Sequence, residues 1–131
     1  VIIDDRFRRA GTDCKALRAF YDSWMGEDRT GQIAVLFVSK RTDEDAAGYA
    51  EAATAMDVLA ARQPGYRGVE SQRGDAGVGI TISYWADDAS ALAWRDHPEH
   101  AAIRAQGRER WYEWYEVIVT RVERGYRWRR A

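Results

Sequence analysis

From Ile33 to Ser39 the chain runs IAVLFVS, a continuous apolar stretch that predicts a strand covered on both faces. The period then changes. Between Thr42 and Arg62, Tyr49, Ala52, Met56 and Leu59 recur at three- and four-residue steps, which predicts a long amphipathic helix. Asp43, Glu44 and Asp45 complement the helix dipole at its start. Gln63-Pro64-Gly65-Tyr66 stops it, because Pro64 disfavours helical geometry just before it and Gly65 accepts a positive φ. Tyr66–Arg73 and Val78–Trp85 flank Gly74-Asp75-Ala76-Gly77 and predict a hairpin. On its second strand Val78, Ile80, Ile82 and Tyr84 share one face, while Thr81, Ser83 and Trp85 share the other. Asp87-Asp88 opens a further helix carrying Ala89, Leu92, Ala93 and Trp94, which breaks near Asp96-His97-Pro98. Pro98 suits the first turn of a continuing helix, Glu99 to Gly107. A long Trp/Tyr/Val-rich strand, Arg110–Glu123, comes last.

The order is β-α-β-β-α-β. It predicts an α+β, ferredoxin-like split βαβ unit with a four-stranded antiparallel sheet and helices on one face. The other face would then carry large apolar side chains, including some of Trp111, Trp114, Tyr115 and Val117, and a monomer exposing them would associate. A homodimer packed sheet to sheet is expected, with the last strand reaching across its two-fold axis. Upstream, Leu17, Phe20, Tyr21 and Trp24 form one stripe of a short helix, and Gly26–Gly31 is a polar linker. Two parts are therefore expected: an extension over residues 1–31 and the folded domain over 32–131.

Composition narrows the function. The chain has 131 residues and a formal charge of −1, so a global polybasic footprint for nucleic acid is absent. Residues 32–103 carry eleven acidic and six basic side chains, whereas 104–131 carry four and eight, which favours pairing within or between subunits. Six Trp and seven Tyr suit a pocket wall or an interface. Cys14 is the single cysteine, which excludes an intramolecular disulfide and fits a reducing compartment. No apolar run approaches the roughly 20 residues of a membrane span, and the amino terminus does not have a secretory pattern. A cytoplasmic protein without membrane or nucleic-acid partners is expected. His97 and His100 lack a third ligand at suitable spacing, so no metal site is expected.

The stretch VGITISYWADDASALAWRDHPEHAAIRAQGRERWYEWYEVIVTRVERGY, preceded by IAVLFVSKRT and ARQPGYRGVES, resembles the antibiotic biosynthesis monooxygenase (ABM) domain family over about residues 32 to 126. The QPGY turn, the YW strand end and the W-x-x-H-P-E-H stretch carry the resemblance jointly. It implies a dimeric α+β barrel with one small pocket per protomer between sheet and helices. It also implies one of two chemistries, oxygenation of phenolic polycyclic compounds without metal or flavin, or haem degradation. For haem degradation, the resemblance puts Trp85 at the pocket tryptophan but Arg104 at the position of the haem-ligating histidine, with His100 one helical turn earlier. Both chemistries use an asparagine, and this chain contains none.

Cofactor-independent oxygenation needs a base and a partner for the substrate oxyanion; His97 or His100, which titrate near neutral pH, are the candidate bases, and Arg104 or Arg108 on the same helix the candidate anion holders. Phe37, Trp85 and Trp94 would form a flat apolar slot, with Tyr84 beside them. The bland reading of each stays beside it. His97 can be a cap at a helix break, His100 and Arg104 can merely share a helix surface, and Trp85 and Trp94 can be core. The expectation is a cofactor-independent monooxygenase acting on a small aromatic or polyketide-like compound. The alternatives are a non-catalytic homodimer that binds a small hydrophobic ligand and, less favoured, a protein that binds haem through His100.

Overall fold

Apolar β-branched and aromatic residues at alternating positions build β1 (Ile33–Arg41), the central strand of a computed structural model that describes residues 28–131. The expected stripe Leu17 to Trp24 and Cys14 lie outside the described residues. A helix, α1 (Ala46–Ala61), is followed by β2 (Tyr66–Arg73) and β3 (Val78–Trp85), then α2 (Asp88–Arg95), α3 (Pro98–Gln106), a π-helical turn (Gly107–Trp111) and β4 (Tyr112–Arg121). The sheet runs β2-β3-β1-β4 with every neighbouring pair antiparallel. This is the ferredoxin-like α+β arrangement, with the hairpin strands at the predicted bounds.

Register sets the two faces. Ile33, Val35, Phe37 and Ser39 lie opposite Trp85, Ser83, Thr81 and Gly79 on one side and Arg121, Val119, Val117 and Tyr115 on the other. These positions face the helices. Ala34, Leu36, Val38, Ile80, Ile82, Tyr84, Trp114 and Ile118 face the other way. The core lies under the helices, where Ile33, Tyr49, Ala52, Ala53, Met56, Trp85, Trp94 and Trp111 bury one another.

The long helix starts later than its acidic run suggests. The Thr42 hydroxyl donates to the Arg110 carbonyl, and the Thr42 N–H donates to the Trp111 carbonyl at 2.9 Å. Those bonds hold Thr42 against the π-helical turn, so Asp43 and Glu44 precede the helix. Asp45 becomes its cap at φ 52°, accepting from the Gly48 N–H at 3.2 Å. At the far end Gly65 takes φ +83°, and a Cβ there would sit 2.1 Å from Ser90 Oγ. Asp87 caps α2, accepting from the Ser90 N–H at 2.8 Å, and Pro98 occupies the first turn of α3.

The last strand is shorter than expected because the π-helical turn absorbs Arg110 and Trp111. In that turn the Tyr112 N–H donates to the Gly107 carbonyl, which inserts an extra residue and rotates Trp111 inward. Trp111 is therefore not a sheet-face residue. It is 2% exposed, donates to Asp45 Oδ2 at 3.2 Å and meets the Tyr49 ring edge-on at 5.9 Å.

Candidate functional site

Between the helix-facing side of the sheet and α2 and α3 lies a cavity of about 240 Å³. Its sheet wall comprises Val35 and Phe37 from β1, Ser83 and Trp85 from β3, and Tyr115, Val117 and Val119 from β4. Its helix wall holds Ala91, Leu92, Trp94 and Arg95 from α2, then His100, Arg104 and Arg108. The last three are four residues apart, so α3 and the turn that continues it present one stripe to the cavity.

Trp85, Trp94 and His100 form a stack. Trp85 is 1% exposed and lies 6.0 Å from Trp94 at 23° between planes, while His100 lies 4.4 Å from Trp94 at 10°. Trp85 Nε1 donates to Ser83 Oγ at 3.1 Å, which satisfies the indole without using a cavity-bound partner. His100 Nδ1 lies 2.9 Å from the Trp94 carbonyl, and a carbonyl only accepts, so Nδ1 carries the proton and Nε2 is the acceptor. Burial pushes the His100 imidazolium down to about 3, leaving the ring neutral across the physiological range.

The cations around the cavity differ in their partners. Arg95 is bound to Asp96 through two hydrogen bonds, at 2.9 and 3.0 Å. Arg108 Nε donates to Tyr115 Oη at 2.6 Å. Arg104 makes no ion pair or hydrogen bond among the described residues. An unneutralised guanidinium on the wall of a largely apolar cavity attracts an anionic or polarised oxygen.

Phe37, Trp85, Trp94, His100 and Arg104 thus share one cavity. Two other expected site residues do not join them. Tyr84 lies on the opposite face of the sheet, where its hydroxyl is 3.2 Å from Glu70 Oε1 and the Arg29 guanidinium lies 3.7 Å from its ring centroid. Strand alternation enforces that separation from Trp85. His97 caps α3, its Nδ1 accepting from the Glu99 N–H at 3.2 Å, and it is absent from the cavity wall. Tyr115 had been expected on the uncovered face, yet its register opposite Ser39 turns it into the cavity. The useful signal was that register: an odd-numbered position on β4 follows Phe37, not Leu36. Among the described residues no group of three His, Cys, Asp or Glu side chains could hold a metal ion. No described helix is long and apolar enough to cross a membrane.

A four-stranded antiparallel sheet backed by helices, with an aromatic cavity between the layers, defines a ferredoxin-like α+β protein. Residues 32–106 match the family described as Antibiotic biosynthesis monooxygenase, and the chain belongs to that family. It is similar to the protein YqjZ of Bacillus subtilis (strain 168), described as uncharacterized, at 48% identity over 91 residues, covering 70% of this chain and 79% of that protein. Its fold is similar to that of SnoaB, a cofactor-independent oxygenase from Streptomyces nogalater, with a TM-score of 0.62 and 13% identity across 73% of this chain and 97% of that one. Rv0793 from Mycobacterium tuberculosis is also similar in fold, with a TM-score of 0.60 and 18% identity across 68% and 92%.

Proposed function

We propose that the protein is a cofactor-independent monooxygenase acting on a small aromatic or polyketide-like hydroxy compound, and that it works as a cytoplasmic homodimer. The observation that carries this reading is the joining, in one cavity, of an aromatic slot with a guanidinium that has no hydrogen bond or ion pair among the described residues and a neutral imidazole. The family description and the oxygenase among the similar folds agree with it.

The overall reaction converts an activated ring CH₂ and O₂ into a ring C=O and water. Loss of a proton gives an enolate or phenolate, the electron-rich carbon adds O₂ to give a peroxide, and loss of water leaves the carbonyl. Phe37, Trp85 and Trp94 hold the ring plane and exclude water. Arg104 stabilises the substrate oxyanion. His100 accepts a hydrogen bond from a substrate hydroxyl through Nε2 and orients it. With its conjugate acid near 3, His100 is a weak base, so the reaction favours substrates acidic enough to ionise readily.

That weak base favours one alternative: a homodimer whose cavity binds an aromatic ligand without transforming it. Oxygen-electrode measurements with anthrone-type phenols separate the two. Wild-type protein should consume O₂ with matching quinone formation, and Arg104→Gln should lower kcat about a hundred-fold, as for loss of one oxyanion partner. Trp85→Phe and His100→Ala should also slow it. Background uptake across a broad phenol panel would reject the oxygenase reading in favour of the binding protein.

A further inference from the structure

We propose that the cavity selects a planar aromatic carboxylate of one or two rings, with Arg104 as the carboxylate anchor and Tyr115, aimed by Arg108, as the second hydrogen-bond donor. This rests on the reading of the cavity as the substrate site and names the class of compound that site prefers.

Charge comes first. Four charged side chains line the cavity: Asp88, Arg95, Arg104 and Arg108. Arg95 is neutralised by its two bonds to Asp96 and lies in the field of Asp88. Arg108 directs Nε at the Tyr115 hydroxyl oxygen. That leaves Arg104 as the lining cation with no hydrogen bond or ion pair among the described residues; it acts on Asp96 only through its field, and Arg95 already holds that carboxylate. An aromatic ligand lying against Trp85 and Trp94 therefore meets a positive wall, and a planar guanidinium matches a carboxylate through two parallel hydrogen bonds.

The Arg108–Tyr115 contact adds direction. Because Tyr115 Oη accepts from Arg108 Nε, its own proton must point elsewhere, and Tyr115 is itself a cavity residue. Its ring lies 5.2 Å from Phe37, which fixes it against the sheet. Arg104 and Tyr115 are thus two donors on the cavity wall. A carboxylate is charged at neutral pH without a base to ionise it, so it meets Arg104 as an anion on arrival, as a phenolate does once formed.

Size sets the ring count. An apolar cavity of roughly 150 Å³ holds benzene. The space here, about 240 Å³ and open to solvent beside Leu92, Val117 and Val119, seats one ring with its carboxylate or two fused rings, and any larger part of a ligand extends outside.

Isothermal titration calorimetry with 1-naphthoate and its neutral isostere 1-naphthamide tests the assignment. Wild-type protein should bind the acid at least about ten-fold more tightly, as expected for charge-assisted hydrogen bonds. Arg104→Gln should erase that preference by weakening naphthoate at least about ten-fold more than naphthamide, and Arg104→Lys, which keeps the charge without the planar fork, should retain only part of it. Tyr115→Phe should weaken naphthoate several-fold and naphthamide, whose carbonyl is the weaker acceptor, by less. Equal binding of both ligands by the wild type would overturn this inference and leave the proposed function standing. A preference that survives Arg104→Gln would overturn the assignment to Arg104. Binding of neither ligand by wild-type protein whose thermal melt is cooperative would overturn the reading of the cavity itself.

Discussion

His100 shows how far packing moves a side chain from its chemistry in water. On the sequence it is a histidine four residues before an arginine, equally suited to catalysis and to a shared helix surface. Its position flat on Trp94, with Nδ1 committed to a carbonyl, makes it a neutral acceptor. The consequence is measurable. The unfolded chain takes up a proton on this residue below about pH 6.5, whereas the folded protein takes it up only near 3. Stability should therefore fall as pH drops through that window, by up to about 1.4 kcal/mol per pH unit from this group. Urea unfolding at pH 7 and pH 4.5 checks it: the loss should be smaller in His100→Phe than in wild type, and equal losses would remove His100 as the cause. Trp85 carries more packing than any other residue of the stack. Replacing it with alanine should cost about 3–5 kcal/mol, read as a lower urea midpoint. Six of the eight side chains singled out in the sequence, Phe37, Trp85, Trp94, His100, Arg104 and Arg108, line one cavity. Tyr84 does not join Trp85, because neighbouring strand positions point to opposite faces, and of the two roles open to His97, base or cap, its backbone position gives the cap.

At the scale of elements, the hairpin, the two-part helix around Pro98 and the stop at Pro64-Gly65 were legible because each rests on local backbone chemistry. Gly65→Ala tests the last of these. With φ at +83° and Ser90 in the place of the new Cβ, the substitution should cost about 1–3 kcal/mol, measured by thermal or urea unfolding. An unchanged midpoint would show that the turn relaxes freely. The π-helical turn was not legible, and it had two consequences. Its inserted residue buries Trp111 and sets β4 so that Tyr115, Val117 and Val119 face the cavity. A π-helical turn depends on long-range anchors, here Arg41 Nε and the Thr42 N–H on the Trp111 carbonyl. Nothing within Gly107–Trp111 announces partners some seventy residues away. The start of α1 was misjudged for the same reason, since Thr42 is the other end of that contact.

For the molecule as a whole, the sheet face away from the helices carries Leu36, Val38, Ile80, Ile82, Trp114 and Ile118, with Trp114 45% and Ile118 42% exposed in the single chain. Water contact over that area is unfavourable, which supports the proposed sheet-to-sheet homodimer. Ile118→Glu should shift the sedimentation mass from that of two chains to that of one, and a wild-type mass already equal to one chain would contradict the dimer. The family and its fold were readable from a few joined motifs. The cavity's volume and the pairing state of each arginine were not, because both depend on contacts between α2, α3 and β4. The most direct measurement is a crystal structure of the protein with 1-naphthoate. The account predicts the ring against Trp85 and Trp94 with its carboxylate on Arg104, inside the cavity under α2 and α3. A naphthoate bound on the open sheet face, or in the cavity with its carboxylate turned away from Arg104, would contradict it.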